Sequence, residues 1–212
     1  MIKLFYPCRC PYCKTIIGIG KESCNECARS LPEHGKLTLI TESEDDIYCV
    51  SPFVYRGGAD KSILNFKLRG YKCFADAYAL SIYRELDFYF SNVKFDAVTA
   101  VPMARLKRIS VGYNHSKVLG KSVAELLRTP YKDLLVKVKN NKEQHKLSAE
   151  ERALNVLGVY SAKRTDIIKG KTILLCDDIV TTGSTLRECS KILMKAGAAR
   201  VICASIAKAG KI

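Results

Sequence analysis

Apolar residues occur along the chain in two spacings, which predict two kinds of element. Four continuous apolar runs predict short buried strands, over residues 47–55, 95–101, 173–176 and 200–207. Apolar residues that recur every three to four positions predict amphipathic helices, over residues 63–68, 74–86, 115–128 and 186–196. Continuous apolar runs that alternate with helices are typical of parallel strands covered on both faces, so the sequence predicts an α/β domain.

The stretch 173–185 carries the most informative chemical pattern. Its apolar run ends at Asp177 and Asp178, and the hydroxyl-rich turn Thr-Thr-Gly-Ser-Thr follows at 181–185 before a predicted helix. A strand, a small polar turn and a helix N-terminus together form an anion site, because backbone N–H groups and the helix dipole favour negative charge there. Gly183 permits close approach of a ligand, and the two carboxylates can accept hydrogen bonds from ligand hydroxyls. The alternative is an ordinary strand and turn with an acidic cap.

This stretch resembles the ribose-phosphate motif of type I phosphoribosyltransferases, which bind phosphoribosyl pyrophosphate (PRPP). The resemblance implies that Asp177 and Asp178 hold the ribose 2′- and 3′-hydroxyls, and that Mg²⁺ accompanies the ligand. It also implies a loop for the 5′-phosphate, formed by Thr181, Thr182, Gly183, Ser184 and Thr185. The expected fold is therefore a phosphoribosyltransferase-like parallel sheet flanked by helices, over residues 46–212.

A basic loop follows the predicted strand 95–101. Arg105 and Arg108 lie in it, shortly after Pro102. Ligands of doubly wound sheets bind at the carboxyl ends of the strands, so this loop is a natural second anion site. Guanidinium groups bind phosphates bidentately, and we therefore expect Arg105 and Arg108 near the pyrophosphate of PRPP. The alternative is a solvated basic loop without a ligand.

Cysteines are concentrated at the N-terminus, where five of the ten fall within the first 27 residues. Two Cys-x-x-Cys knuckles place four thiolates around a tetrahedral Zn²⁺, and a closed four-sulfur site is structural rather than catalytic. The ligands predicted from this spacing are Cys10, Cys13, Cys24 and Cys27. The surplus Cys8 could replace Cys10, and a redox pair is an alternative that lacks the βαβ context of a thioredoxin-like motif. We expect residues 1–45 to form a zinc-binding domain with its linker.

The chain carries a formal net charge of +14. Strongly basic chains attract polyanions such as nucleic acid and anionic lipid, although the same charge also serves solubility. Basic residues recur over 56–72, 105–121 and 137–146, and Lys67 is one that we expect on an outer helix surface. No apolar run reaches the ~20 residues that span a bilayer, and the N-terminus lacks the apolar core of a signal peptide. We therefore expect a cytoplasmic chain, in which disulfides are rare.

Four patches, together with the central stretch, make the chain similar to the ComF family, bacterial cytosolic proteins linked to natural competence and DNA uptake. These patches are the paired cysteine knuckles, residues 66–70, residues 101–114 and residues 144–156. The chain departs from the family pattern at Val111 and His115, where Arg and Gln are usual. The resemblance implies single-stranded DNA as a ligand and a DNA-uptake helicase as a candidate partner. Together with the charge distribution, it predicts DNA contacts from Lys137, Lys139, Lys142 and Lys146.

Three functions remain open on the sequence. The first is a competence protein that binds PRPP and handles imported single-stranded DNA, with or without transferase activity. The second is a nucleotide-salvage phosphoribosyltransferase that acts on a small base. Its 6-oxopurine form is disfavoured, because Thr181 stands where those enzymes have a proton-handling Asp. The third is a PRPP-sensing regulator that binds duplex DNA, which is disfavoured because no helix-turn-helix motif is evident.

Overall fold

The computed structural model describes residues 8–30, 37–41, 46–68, 73–104, 109–139, 151 and 155–210. Four of the predicted site residues lie outside the described residues: Arg105, Arg108, Lys142 and Lys146. Within the described ranges, no helix combines the length and the apolar character that crossing a membrane requires.

Short strands and longer helices alternate through most of the described chain. The strands are β1 (Thr38–Thr41), β2 (Ile47–Val50), β3 (Phe53–Val54), β4 (Ala97–Ala100), β5 (Leu135–Lys137), β6 (Tyr160–Ala162), β7 (Thr172–Val180) and β8 (Arg200–Lys208). The helices are α1 (Asn25–Ser30), α2 (Ala59–Leu68), α3 (Phe74–Phe90), α4 (His115–Leu126), α5 (Thr165–Ile168) and α6 (Ser184–Lys195). This succession confirms the predicted α/β class.

The main sheet has the strand order β1-β2-β8-β7-β4, and β3 pairs with β8. The strands β2, β8, β7 and β4 run parallel, whereas β1 is antiparallel to β2. A separate two-stranded antiparallel sheet contains β5 and β6. Since parallel strands end at the same edge of a sheet, the segments that follow β4 and β7 lie close together.

Alternate side chains of β7 enter two different hydrophobic layers. Leu174 and Cys176 pack with α2, α3 and α4, whereas Ile173 and Leu175 pack with α6 on the opposite face. All four side chains are fully buried. Because both faces of the sheet are covered, its central strands contain the continuous apolar runs that the sequence shows.

Strand β7 is longer than the sequence predicts. The apolar run suggests a strand that stops at Cys176, and pairing with β4 does stop there. Pairing with β8 continues to Val180, which lies opposite Lys208. Asp177 and Asp178 therefore lie within the strand and not after its end, on the half of β7 that does not pair with β4.

Two other predicted elements differ in detail. The first predicted strand is divided into β2 and β3, because Pro52 between them has no N–H to donate to a ladder. In α2, Leu64 and Leu68 are 48% and 67% exposed, while Ile63 and Phe66 are fully buried. The helix therefore packs on a different face from the one that its leucines indicated.

The N-terminal cysteine segment packs against α2 and α3. Ser62 Oγ of α2 donates a 2.7 Å hydrogen bond to the Pro11 carbonyl. Glu22 accepts a 2.7 Å hydrogen bond from Ser81 Oγ and pairs with Arg84 at 2.8 Å, and both partners belong to α3. The segment is thus attached to the α/β part through defined polar contacts.

The first strand lies within residues 1–45, which the sequence assigned to a zinc-binding domain with its linker. Ile40 of β1 is buried in the layer that contains α6. Arg187 of α6 donates two hydrogen bonds to the Ile40 carbonyl, at 3.1 and 2.8 Å. Residues 38–41 therefore belong to the main sheet. The domain boundary at residue 45 stays a prediction.

Candidate functional site

The carboxyl end of β7 opens into a cleft of about 350 Å³, which we call the β7 cleft. Seven of the residues predicted to bind PRPP line it: Asp177, Asp178, Thr181, Thr182, Gly183, Ser184 and Thr185. Tyr55, Lys67, Val101 and Tyr160 are among its other lining residues. The predicted acids and the predicted phosphate loop therefore share one cavity, although their ligand stays a prediction.

Asp177 is the more readily protonated of the two acids. Its Oδ1 accepts 2.8 Å hydrogen bonds from Ser116 Oγ and from the Asp178 backbone N–H. Burial, together with the neighbouring Asp178 carboxylate, nevertheless raises the pKa of Asp177 above its ordinary value. A ligand that brings hydrogen-bond donors or positive charge to this carboxylate would favour its ionised form.

Asp178 has the opposite tendency, because a lysine faces it. Lys67 Nζ lies 2.8 Å from Asp178 Oδ2, and the two side chains are 30% and 14% exposed. His115 Nδ1 is 3.9 Å from the same oxygen, and the Ile179 N–H donates to Oδ1 at 2.7 Å. Burial alone would raise the pKa of Asp178, but Lys67 lowers it below its ordinary value. The carboxylate in turn raises the pKa of Lys67 against the effect of that side chain's burial, so the two form an ion pair.

Two residues at the entry to α4 hold the end of α2 that carries Lys67. The Tyr113 hydroxyl donates to the Phe66 carbonyl, and His115 Nε2 lies 2.6 Å from the Lys67 carbonyl. Because a carbonyl can only accept, Nε2 carries the proton. The rings of Phe66, Tyr113 and His115 pack edge to face, with centroids 4.9 to 6.1 Å apart. His115, where the chain departs from the ComF pattern, is therefore a buried residue that makes structural contacts.

Gly183 shapes the loop between β7 and α6. Its φ of 75° is in the left-handed region, and a Cβ placed there would lie 3.1 Å from two carbons of Ile40. The Thr182 and Ser184 hydroxyls are 2.8 Å apart. Since α6 begins at Ser184, the N–H groups of its first turn, which have no acceptor within the helix itself, lie beside residues that line the β7 cleft. The loop therefore combines the helix start and the hydroxyls that an anion site requires.

Two of the four lysines predicted to contact DNA are described. Lys137 ends β5, and its Nζ lies 5.9 Å from the centroid of the Tyr160 ring. Lys139 is exposed. Because Tyr160 lines the β7 cleft, Lys137 lies next to that cleft. Its contact with DNA stays a prediction.

The N-terminal thiols form a compact group. The Sγ atoms of Cys10, Cys13, Cys24 and Cys27 lie within 4.8 Å of one another, and those of Cys13 and Cys24 are 3.5 Å apart. Four Zn–S bonds of about 2.3 Å would separate the sulfurs by roughly 3.8 Å, so the arrangement fits Zn²⁺. Hydrogen bonds with Thr15 lower the pKa of Cys13 to about 6, which favours the thiolate. Among the described residues Cys8 lies outside this group, so the geometry favours Cys10 as the ligand.

Sequence reasoning missed the two side chains, of Lys67 and Ser116, that contact the acids of the β7 cleft. Lys67 was predicted on an outer helix surface, but it lines the cleft and pairs with Asp178. Its place in the patch 66–70, which resembles the ComF family, was the available signal. Ser116 had no comparable signal, because only the packing of α4 against β7 brings its hydroxyl to Asp177.

Comparison with known proteins identifies sequence relatives. A family profile described as a phosphoribosyl transferase domain matches residues 114–211. The chain is 33% identical to Competence protein F of Haemophilus influenzae over 116 residues, which is 54% of this chain and 51% of that protein. It is 28% identical to Competence protein ComFC of Bacillus subtilis over 153 residues, which is 70% of this chain and 59% of that protein.

A third group of relatives has a different description. The chain is 28% identical to DNA utilization protein YhgH of Escherichia coli K12 over 107 residues, which is 50% of this chain and 46% of that protein. The chain thus spans about half the length of the curated relatives it matches.

Solved structures that align with part of this chain include two enzymes. Adenine phosphoribosyltransferase from Thermoanaerobacter pseudethanolicus has a TM-score of 0.43 and 16% identity, over 69% of this chain and 84% of that chain. Glutamine phosphoribosylpyrophosphate amidotransferase from B. subtilis has a TM-score of 0.40 and 23% identity, over 62% of this chain and 25% of that chain. At these values the likeness says nothing about the ligand of this chain.

Proposed function

The chain belongs to the ComF family, and on that premise we propose that it binds PRPP and handles single-stranded DNA during natural transformation. The PRPP part rests on the β7 cleft. The DNA part rests on the net charge of +14 and on relatives described as competence and DNA utilization proteins. We place this function in the cytoplasm, with a DNA-uptake helicase as the proposed protein partner.

One observation carries the PRPP proposal, namely that two adjacent carboxylates and a hydroxyl-rich helix start line the same cleft. Asp177 and Asp178 would accept hydrogen bonds from the ribose hydroxyls. The 5′-phosphate would accept hydrogen bonds from the first N–H groups of α6 and from the hydroxyls of the loop 181–185. The two acceptors and the donors are thus arranged for the two ends of a phosphorylated ribose.

Mg²⁺ fits the β7 cleft as a companion of PRPP. This ion prefers oxygen ligands and is commonly held by one or two carboxylates together with substrate phosphates. Among the described lining residues, Asp177 and Asp178 supply carboxylates. Lys67 already pairs with Asp178, so Asp177 is better placed to receive the ion. When bound, the metal would neutralise charge on the pyrophosphate.

The proposal includes PRPP binding without a purine transfer reaction. Proton transfer to or from a base requires a titratable group beside it. Thr181 does not titrate near neutral pH, and the carboxylates among the described lining residues are assigned to the ribose. Lys67 is held in its ion pair with Asp178, and burial raises the pKa of Tyr160 well above its ordinary value. His115 is buried against Phe66, and its Nε2 proton is held by the Lys67 carbonyl.

A small-base salvage activity is the second candidate, and one observation favours it. Tyr55 and Tyr160 both line the β7 cleft, and aromatic rings can hold a planar base. This candidate predicts that the protein releases pyrophosphate from PRPP only when a free base is added. Pyrophosphate release in a panel of pyrimidines and small purines measures it.

Two titrations test the main proposal. Calorimetry with PRPP and Mg²⁺ should give a saturable isotherm with one site per chain, and ribose 5-phosphate should compete. Fluorescence anisotropy with a labelled oligonucleotide should show single-stranded DNA bound at ~50 mM salt, with affinity that falls steeply as salt rises. Absence of any PRPP heat or competition contradicts the first part, and absence of DNA binding at low salt contradicts the second.

A further inference from the structure

We infer that single-stranded DNA binds in a second cleft beside the β7 cleft, which we call the lysine cleft. This inference rests on the proposed function, because it presupposes that the protein binds single-stranded DNA. The residues that define the lysine cleft are Pro102, Lys117, Lys121, Tyr131, Lys137 and Lys163. Three of these lysines were not among those predicted from the sequence to contact DNA.

The lysine cleft is formed between α4 and the two-stranded sheet β5–β6. Lys117 and Lys121 come from successive turns of α4, while Lys137 ends β5 and Lys163 follows β6. The volume is about 600 Å³. Small-molecule and cofactor pockets have volumes of roughly 300–1,000 Å³, so the space is large enough for one or a few nucleotides of a strand. Cations from two separate elements can therefore contact phosphates along one strand.

Positive charge dominates the lysine cleft. Four lysines and one carboxylate line it, and four minus one leaves a net charge of +3. The carboxylate is Asp133, whose Oδ2 lies 2.5 Å from Lys117 Nζ. Burial would raise the pKa of Asp133, but Lys117, Tyr131 and Lys121 hold it below its ordinary value. The acid thus stays ionised and offsets one lysine, which leaves the charge of the others for phosphates.

The lysine cleft also offers apolar and aromatic surface. Tyr131, Pro102 and Met103 line it and are half-buried. The Tyr131 ring lies beneath Lys117 Nζ, which is 5.7 Å from the ring centroid, and its hydroxyl donates to Asp133 at 3.2 Å. Grooves that bind single strands combine cations for the backbone with aromatic surface on which bases stack. A duplex keeps its bases inside and could use only the lysines.

The two clefts are neighbours. Val101 lines the β7 cleft and Pro102 lines the lysine cleft, so the chain after β4 separates them. Lys137 lines the lysine cleft, and its Nζ lies over Tyr160 of the β7 cleft at 5.9 Å. A strand in the lysine cleft would therefore lie beside bound PRPP without displacing it. The two ligands should bind at the same time.

The test uses the whole 212-residue chain, purified without chelator, and a labelled oligo-dT in anisotropy titrations. The variant Lys121→Glu with Lys163→Glu reverses two exposed charges of the lysine cleft and leaves the Lys117–Asp133 pair intact. We expect at least a tenfold loss of affinity at ~50 mM salt and a log–log salt slope that is smaller by about 1.4, which is roughly 0.7 per lost phosphate contact. PRPP affinity should change less than twofold.

The matched control is Lys94→Glu with Lys169→Glu. Both lysines are exposed, precede β4 and β7, and so lie at the opposite edge of the sheet from the clefts. This control makes the same change in net charge and should bind DNA nearly as wild type does. Equal losses in the two variants would overturn the lysine cleft as the DNA site while leaving DNA binding itself intact.

Two further outcomes separate the inference from the proposed function. Displacement of the oligonucleotide by saturating PRPP would place both ligands in one cleft and overturn the inference. Equal affinity for duplex and single-stranded DNA of the same length would overturn the role of the apolar surface. If the wild-type protein binds no single-stranded DNA at all, the DNA part of the proposed function fails and the inference fails with it.

Discussion

Lys67 Nζ lies 2.8 Å from Asp178 Oδ2, so an ammonium group from α2 contacts an acid inside β7. This contact makes two adjacent carboxylates chemically different. Lys67 holds the pKa of Asp178 below its ordinary value, whereas burial raises the pKa of Asp177. A ligand that enters the β7 cleft therefore meets one charged acid and one acid that binds a proton readily.

Lys67→Met should lower stability and weaken PRPP binding, because Asp178 loses its cationic partner. Removing one partner of a fully buried pair costs about 3–5 kcal/mol. These side chains are 30% and 14% exposed, so we expect about 1–3 kcal/mol after allowance for solvent screening. Urea unfolding measures this change, and Lys67→Arg, which keeps the charge, is the control.

The pH dependence of the Lys67→Met effect has a defined sign. A depressed pKa of Asp178 contributes stability above the unfolded value of about 3.9, and that contribution is lost as pH falls. In the variant, burial without Lys67 raises the pKa of Asp178, so the difference between wild type and variant should shrink as pH falls through that raised pKa and be smallest below about pH 4. A difference that is the same at pH 3.5 and pH 7.5 would show that packing, and not charge, is responsible.

Asp177→Asn should stabilise the ligand-free protein near neutral pH. The pKa of Asp177 is raised to about 7 in the folded chain. Folding therefore takes up a proton, and the stability that this provides is lost as pH rises from about 4 through the folded value. Asparagine cannot ionise, so the variant should be no more stable than wild type near pH 4. At pH 7.5 its gain in stability should reach about 2–4 °C in Tm, or roughly 1 kcal/mol. An advantage independent of pH would contradict this cause.

Asp177→Asn with Asp178→Asn should abolish most PRPP affinity. Hydrogen bonds to charged groups contribute roughly 1.5–3 kcal/mol each, so loss of both carboxylates predicts at least a hundredfold weaker binding in calorimetry. The control is Asp87→Asn with Asp166→Asn, which makes the same charge change at exposed positions outside the β7 cleft. Circular dichroism checks that the fold survives. Unchanged PRPP affinity in the cleft variant would exclude this site.

One zinc ion per chain should be found in protein purified without chelator. Elemental analysis should show loss of zinc in Cys13→Ser and in Cys24→Ser, because each removes one of four thiols that lie within 4.8 Å of one another. Cys8→Ser should keep its zinc and serves as the control. Chelation should unfold the cysteine segment, since so short a segment has no other core. Wild-type protein purified in this way without zinc would contradict the prediction.

Gly183→Ala should destabilise the protein more than Gly158→Ala does. Both glycines have a positive φ, of 75° and 65°, but a Cβ would meet Ile40 at 3.1 Å in the first case and nothing within 4 Å in the second. The backbone cost alone is about 1–2 kcal/mol, and overpacking against Ile40 should add about 1 kcal/mol or more. Thermal unfolding of the two variants separates strain from contact. Equal losses of stability in the two variants would mean that the Ile40 side chain shifts to make room for the added methyl group.

Features that depend on local pattern were predictable from the sequence. The spacing of the cysteines predicted the thiol group, and the run from Ile173 to Cys176 predicted the core of β7. Asp177, Asp178 and the turn after them were predicted to share a site, and they line one cleft. Each of these predictions needs only a local pattern of residues, such as an apolar run, the spacing of two cysteines or the composition of a turn.

Features set by a distant partner were not predictable in the same way. The length of β7 depends on pairing with β8 out to Val180. The role of Lys67 depends on its contact with Asp178. The two residues are far apart in the sequence, and only the fold brings them together. The buried face of α2 was mistaken because Leu64 and Leu68 have helical spacing yet face solvent, while Phe66 is in the core.

Helix α2 contacts both the cysteine segment and the acids of β7, through Ser62 on Pro11 and through Lys67 on Asp178. If zinc and PRPP bind as proposed, a single helix with these two contacts would couple the binding of one to the binding of the other. Such coupling is reciprocal, so zinc should raise PRPP affinity by the same factor by which PRPP raises zinc affinity. We therefore expect zinc depletion to weaken PRPP binding before the α/β part unfolds, which would make occupancy of the β7 cleft a measure of zinc supply.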